Sequence, residues 1–292
     1  MSEIRGFAKV NLALQVRPRD RSDRHPLRSL VQSIDLDDIV TVAPAEEDGF
    51  IVEAPEEVPG DENNLAWRAM EAVRLRVRRP ISMRLNKRIP VAAGLGGGSA
   101  DAAASLVAAG GLFGADEAAL RSIAPGLGGD VPFCLTGGRL WMEGYGERLT
   151  PTPMSSDFWL AIAVPPFELS TAAVYRRWDA LDGPAGPAVD ARWLPPSLRE
   201  LAPLVNDLTP AAIALRPDLG EWIVDLAAAW GTGVAMSGSG PAVFGFFADV
   251  EEATDAADEV RGGRAAMPAA PLDRGWEGDP GGTLPPPPWG VV

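Results

Sequence analysis

Cysteine occurs once in the 292 residues, at Cys134, which excludes an intramolecular disulfide and a cysteine-built zinc cluster within one chain. Such usage suits a reducing compartment. Positive charge is short as well: 26 basic side chains stand against 40 acidic ones, a formal net charge of −14 at pH 7. That balance argues against a nucleic-acid partner and against anionic membrane surfaces, so an anionic ligand has to be held by local geometry. Long apolar runs are missing. None reaches the length of a membrane span, and the opening MSEIRGFAKVNLALQV has neither the apolar core nor the cleavage site of a signal peptide. A soluble, cytoplasmic protein that touches no membrane is expected. Histidine occurs once, at His25, and a lone histidine reads as a surface or core residue before it reads as a ligand.

The hydrophobic fraction, 46%, is ample for a core, and the length suits one large domain or two lobes sharing an interface. The start of the chain reads as strands and turns: FAKVNLALQV alternates, DIVTVAP and FIVEAP are short β-rich runs, and Asp48-Gly49 between them signals a hairpin. Helical spacing follows in NLAWRAMEAVRLRV, then an alternating strand in ISMRLNKRIPV, a glycine loop and a helix from Ala100 to Leu112. Asp116 reads as the cap of DEAALRSIA, and GRLWMEGYGERLTP as a strand. A first lobe over residues 1–150 and a second over 151–292 are expected. In the second, FWLAIAVP is a strand, Ser170 and Thr171 start a helix, and GPAGPAVDARWLPPS is a surface loop. DLTPAAIAL, DLGEWIVDLAAAW and DVEEATDAADEV read as helices, and TGVAMSGSGPAVFGFF as strands around a glycine turn. From about residue 265 a flexible, Pro/Gly-rich tail is expected.

The stretch PVAAGLGGGSADAAASL, Pro90 to Leu106, sets several glycines directly before an alanine-rich helix, although glycine is the residue most costly to order. Successive amides of such a turn can all point at one anion, and the helix adds its own unpaired amides and the positive end of its dipole. Phosphate is the natural occupant. The P-loop of ordinary ATPases requires a lysine after its last glycine, where this chain has Ser99. A dinucleotide fingerprint could press Ala100 and Asp116 into service, but Asp116 is better explained as a helix cap. A turn that merely packs a helix closely, with no ligand, is the remaining reading.

Lysine is nearly absent. Arginine occurs 24 times, lysine only as Lys9 and Lys87. A compact ammonium can sit between a hydroxyl and a transferring phosphoryl group where a planar guanidinium does not fit. Lys87, in a basic run, reads as part of a solvated strand face; Lys9 lies within an apolar strand, either snorkelling to the surface or serving chemistry. Asp130, after a pair of glycines and before VPF, reads as a helix cap or as a general base for a substrate hydroxyl.

Taken in order, AKVNLALQV, RHPLRSLVQSIDLDD, ENNLAWRA, RIPVAAGLGGGSADAA, LGGDVPF and MSGSGPAVF resemble the GHMP kinase superfamily through most of the chain. The resemblance implies an α+β fold of two lobes, the first like the second domain of ribosomal protein S5, the other α/β. It implies ATP and Mg2+ as cofactors. ATP would lie along Pro90, Val91, Ala92, Ala93, Gly94, Leu95, Gly96, Gly97, Gly98, Ser99 and Ala100, with Asn64 and Leu65 near the adenine. Lys9 and Asp130 would be the catalytic pair, Asp130 orienting or deprotonating the acceptor hydroxyl and Lys9 stabilising charge around it. The implied acceptor is a small molecule, a cytidine diphosphate-linked methylerythritol phosphorylated on its 2-hydroxyl. Asn11 would lie beside it, His25 against its cytosine, Thr171 and Tyr175 in its cleft, with Gly238, Ser239 and Gly240 closing on the site.

The chain departs from the superfamily pattern in one place. Where glycine, tyrosine, histidine and glutamate are usual it has Asp23, Arg24, His25 and Pro26, so Arg24 replaces the tyrosine that would stack on cytosine. Arginine can also stack on a base. Ser99 is the candidate magnesium ligand, and Asp101 a second one unless it only complements a helix dipole. Two other readings stand beside this: a kinase of the superfamily with a different acceptor alcohol, or a catalytically silent nucleotide-binding protein. Retention of both Lys9 and Asp130 speaks against the silent binder, which needs neither.

Overall fold

The computed structural model describes residues 1–74, 79–152, 157–183, 186, 205–282 and 284–289. The β-rich start gives β1 (Ser2–Val16), β2 (Leu27–Pro44) and β3 (Gly49–Glu53). In helix α1 (Leu65–Arg74), Ala66, Ala69, Met70 and Val73 recur at helical spacing and bury one face. Strand β4 (Ile81–Asn86) alternates buried Ile81, Met83 and Leu85 with exposed Ser82 and Arg84. The glycine loop opens α2 (Gly97–Phe113), which is apolar on every side and therefore runs through the interior, packed on α1, β1 and β2. Helix α3 (Glu117–Leu127) is capped as expected by Asp116, whose carboxylate accepts from Ala119 N at 2.9 Å. Short α4 (Val131–Thr136) and the hairpin β5 (Arg139–Gly144) and β6 (Arg148–Pro151) follow.

The chain then forms β7 (Trp159–Val164), α5 (Thr171–Ala180), α6 (Thr209–Leu215) and α7 (Asp218–Trp230). After these come β8 (Val234–Met236), β9 (Val243–Phe247), α8 (Val250–Asp258), β10 (Ala265–Ala269), β11 (Pro271–Leu272) and β12 (Trp276–Asp279). Among the described residues eight strands make the first sheet, in the order β12-β1-β2-β4-β3, with β5 and β11 also on β2 and β6 on β5. Four antiparallel strands, β10-β7-β9-β8, make the second. The alternation of β1 is overridden because both its faces are covered: Ile4, Ala8, Val10 and Leu12 belong to one core, while Leu14 and Val16 join Val174, Trp178 and Leu208 in another. No helix among the described residues is long and apolar enough to cross a membrane.

Some expectations are corrected. Asp48-Gly49 does not close a hairpin, because β4 lies between β2 and β3 and pairs with β3 in parallel. Asp48 instead accepts from Ile81 N at 3.0 Å and pairs with Arg74. Over its described residues, the stretch from about residue 265 is not a flexible tail. It supplies strands to both sheets, β12 pairing with β1 from Glu3 to Gly6, and buries Trp276 and Trp289 against each other with ring centroids 5.2 Å apart. The proline-rich surface loop expected from Gly183 lies almost entirely outside the described residues, as does the end of the helix expected beyond Arg74.

Candidate active site

Pro90 to Ser99 line a cleft of about 530 Å³ together with Lys9, Asn11, Asp130, Tyr175 and Ser239. Ala100, the next residue, is buried in the core rather than facing the cleft. Gly94 and Gly96 adopt φ of 84° and 74°, the left-handed region that favours glycine. A side chain on Gly94 would overlap the Ser237 carbonyl, and one on Gly96 would come within 2.9 Å of Lys9 Cγ. Gly98 is different: a Cβ there would meet nothing within 4 Å, so the space beside it is open to a ligand. Helix geometry leaves the N–H groups of Gly97 and Gly98 without acceptors inside α2, and the dipole places positive potential there. The loop is an anion cradle.

Lys9 is 3% exposed on β1, yet oxygens surround its ammonium. Nζ donates to Asn11 Oδ1 at 2.6 Å and to the Gly94 carbonyl at 3.1 Å, and lies 3.3 Å from Asp130 Oδ2. It does not snorkel to the surface. Asp130 sits at the N-terminus of α4, but its side chain makes no capping hydrogen bond and is one-third exposed toward the cleft. Asn11 is held in turn, Nδ2 donating to Ser29 Oγ at 2.8 Å, and Ser29 Oγ donating to the Ala13 carbonyl at 2.7 Å. The structure thus brings Lys9, Asn11, Asp130 and the glycine loop together from distant parts of the chain.

Other expected site residues fall into groups. Asn64 and Leu65 line the cleft, but the Asn64 side chain is engaged locally, donating to Pro59 O at 2.7 Å and accepting from Ala66 N at 2.9 Å. Thr171, Tyr175, Gly238 and Ser239 line it as well, and the Thr171 and Ser239 hydroxyls are 2.8 Å apart. Gly240 lies beneath, against Met236. His25 and Arg24 are not among the lining residues. His25 packs behind the cleft with its ring 5.2 Å from Tyr175 and 5.3 Å from Trp178, Nδ1 at 3.0 Å from the Arg17 carbonyl. Arg24 lies over the Tyr145 ring at 4.1 Å, and the Tyr145 hydroxyl is bound by Asp20. Burial, and to a smaller degree the charge of Asp130, push the Tyr175 phenol up to about 12, so it is neutral at ordinary pH.

Lys87 is not on a solvated face. It is 6% exposed, and its ammonium bridges the carboxylates of Asp38 and Asp101, the latter at 2.7 Å. Burial opposes its charge, but Asp101 and Asp38 outweigh that and hold Lys87 above the usual range. Asp101 is pushed well above the carboxylate range by burial, with Lys87 opposing and Asp38 adding to the effect. It ties α2 to Asp38 of β2 through Lys87 and is buried, so it is not an exposed dipole partner; it also lines the cleft. Asp38 also accepts from Arg88 N at 2.5 Å and Ile89 N at 2.9 Å, which fixes the entry to the loop. Among the described residues no group of three or more His, Cys, Asp or Glu could hold a metal ion. Ser29, Ser237 and Asp38 were not legible from sequence: serine and aspartate are common, and nothing in their spacing marks them. For Ser237 a hint existed in its place directly before the glycine turn.

Comparison with known proteins bears on this geometry. The family description GHMP kinases N terminal domain matches residues 64–138, and GHMP kinases C terminal matches residues 187–263. The chain belongs to the GHMP kinase family, and with it to the ATP-dependent phosphotransferases that act on an alcohol in a two-lobed α+β fold. Two relatives matched over most of their length are both named 4-diphosphocytidyl-2-C-methyl-D-erythritol kinase. One, from Geobacter sulfurreducens, is 39% identical over 88% of this chain and 94% of its own; another, from an Anaeromyxobacter species, is 42% identical over 87% and 84%. A crystal structure of 4-(cytidine 5'-diphospho)-2C-methyl-D-erythritol kinase superposes with a TM-score of 0.80 at 34% identity, covering 92% of this chain and 98% of that one. Homoserine kinase from Cytophaga hutchinsonii shares the fold, with a TM-score of 0.71 at 18% identity over 95% of this chain and 97% of its own.

Proposed function

We propose that this chain transfers the γ-phosphoryl group of ATP to the 2-hydroxyl of 4-diphosphocytidyl-2-C-methyl-D-erythritol, a step of the non-mevalonate route to isoprenoid precursors, in the cytoplasm. The observation that carries the reading is the 3.3 Å approach of Lys9 Nζ to Asp130 at the mouth of the glycine loop. A pure binder of nucleotide gains nothing from a carboxylate there. Its charge would repel the phosphates.

Phosphoryl transfer is mainly positioning and charge stabilisation. Asp130 accepts the hydroxyl proton as the oxygen attacks phosphorus, and Lys9, held by Asn11 and the Gly94 carbonyl, orients that carboxylate and steadies the negative charge of the transferring group. The amides of Gly97 and Gly98 hold the phosphate oxygens at the start of α2. Magnesium is commonly held by substrate phosphates with few protein ligands; here the Ser99 hydroxyl would be its protein ligand, and the ion would supply neutralisation of the triphosphate charge. Tyr175 offers a ring face to the cytosine, with His25 packed behind it.

Purified protein with ATP, magnesium and the cytidylated diol is expected to release ADP in step with loss of the diol. Turnover only with some other alcohol would reassign the acceptor, and ATP binding without turnover of any alcohol would leave a silent binder. Asp130→Asn is expected to lower kcat by at least about a hundredfold, the scale of a positioned base, with ATP affinity kept.

A further inference from the structure

Val91 opens the phosphate loop, and both polar groups of its backbone are held from outside the cleft. Its N–H donates to Glu56 Oε2 at 3.0 Å, and its carbonyl accepts from Arg264 Nη2 at 2.5 Å. Arg264 Nη1 donates to Glu56 Oε1 at 2.7 Å, which closes a ring around the residue. Glu56 comes from the segment between β3 and α1. Arg264 comes from the turn before β10, where its own N–H donates to Val164 O at 2.9 Å and ties it to the second sheet. The bracket therefore grips the loop from both lobes.

Such a bracket has something to hold. Ala92, the next residue, has φ of 50°, a left-handed backbone that a residue with a Cβ keeps only where its surroundings over-determine it. Val91 and Ala92 line the cleft, whereas Glu56 and Arg264 are not among the lining residues. If the bracket opens, Ala92 can relax to a right-handed or extended conformation, and the direction of the amides that follow changes with it. The ring consists of charge-assisted hydrogen bonds in a partly buried setting, with side chains 18% and 30% exposed, which gives it strength and a fixed shape.

We propose that Glu56 and Arg264 are positioning residues for ATP: they hold the Val91–Ala92 turn in the one conformation that aims the loop at the triphosphate. This rests on the kinase reading of the same cleft. The test uses the whole protein and the variants Glu56→Gln, Arg264→Lys and the double variant. Gln offers a single oxygen where two are used, and Lys cannot reach both Val91 and Glu56. Binding of a non-hydrolysable ATP analogue is measured by calorimetry, beside KM for ATP and for the acceptor and thermal unfolding. Each single variant is expected to weaken analogue binding and raise KM for ATP by about tenfold, the scale of one charge-assisted hydrogen bond, with acceptor KM nearly unchanged. The double variant is expected to add little further, because either change opens the same ring. Unchanged analogue affinity in folded variants, with only the unfolding temperature lowered, would overturn the proposal and leave the ring a plain tie between lobes. Additive losses in the double variant would overturn it too. Should Arg264→Lys fail to fold, Glu56→Gln decides alone by the same readout. Wild-type protein that binds the analogue but phosphorylates no alcohol would sink the kinase reading while leaving the binding comparison readable.

Discussion

At 3% exposure the Lys9 side chain has three oxygens in place of water around Nζ, from Asn11, Gly94 and Asp130. Gly96 is the other half of that arrangement, since the lysine stem runs where a side chain on residue 96 would be. Gly96→Ala is expected to lower kcat roughly tenfold to a hundredfold through displacement of Nζ, and to cost about 1–2 kcal/mol of stability from the left-handed backbone. Steady-state kinetics and denaturant unfolding check both parts; full activity would show that the stem can move without consequence. Tyr175 supports a prediction of a different kind. Its phenol is held at about 12, against about 10 in an unfolded chain, so between those values the unfolded state loses its proton first and stability falls as pH rises. The chain has only one other tyrosine, Tyr145, so a Tyr145→Phe variant isolates the signal. No phenolate absorbance step is expected near pH 10 while tryptophan fluorescence still reports a folded protein. A step there would mean that Tyr175 is wetter than its surroundings indicate.

At the level of elements, the C-terminal strands show how composition misleads. Glycine and proline suggest looseness, but glycine here serves close backbone approach: a side chain on Gly111 of α2 would overlap the Pro280 carbonyl, and one on Gly275 the Cys134 carbonyl. Strands of two to four residues, β11 and β12, are also too short to carry a period. The Asp48-Gly49 turn misled for another reason, since a local signal cannot report that β4, some thirty residues on, takes the place beside β2. By contrast α3 and α7 follow from the spacing of their apolar residues, α3 with the Asp116 cap besides, because their partners do not alter that periodicity. If the last strands are structural, Trp276 should matter well beyond its place in the chain. It is fully buried, on a strand paired with β1, and edge-on to Trp289. Trp276→Ala is expected to destabilise by about 3–5 kcal/mol, the cost of emptying a large aromatic site, as read from urea unfolding. A loss below about 1 kcal/mol would return this segment to the status of an appendage.

Across the whole molecule, the cleft exists because residues of both sheets meet at one carbonyl. Gly94 O accepts from Lys9 Nζ at 3.1 Å and from Ser237 Oγ at 3.0 Å, while Ser237 Oγ itself accepts from Asn11 N at 3.2 Å. What the sequence shows of this is selective. Lys9 stands out through the scarcity of lysine, the loop through its glycines and Asp130 through the turn before it, whereas Ser237 and Glu56 are ordinary residue types whose roles arise only when the lobes pack. The same packing sets the Lys87 environment, which no local pattern reveals, because Asp38 and Asp101 reach it from other elements. Ser237 is fully buried, so its removal cannot be compensated by bulk water. Ser237→Ala leaves Asn11 N without this acceptor and Gly94 O with one donor fewer, and is expected to cost about 1–3 kcal/mol of stability. Because the groups concerned flank Lys9, kcat should fall as well, and with it the affinity of the loop for ATP, while the acceptor KM changes less. Thermal unfolding together with KM for each substrate checks this, and a variant of unaltered stability and turnover would mean that the two lobes hold the loop without Ser237.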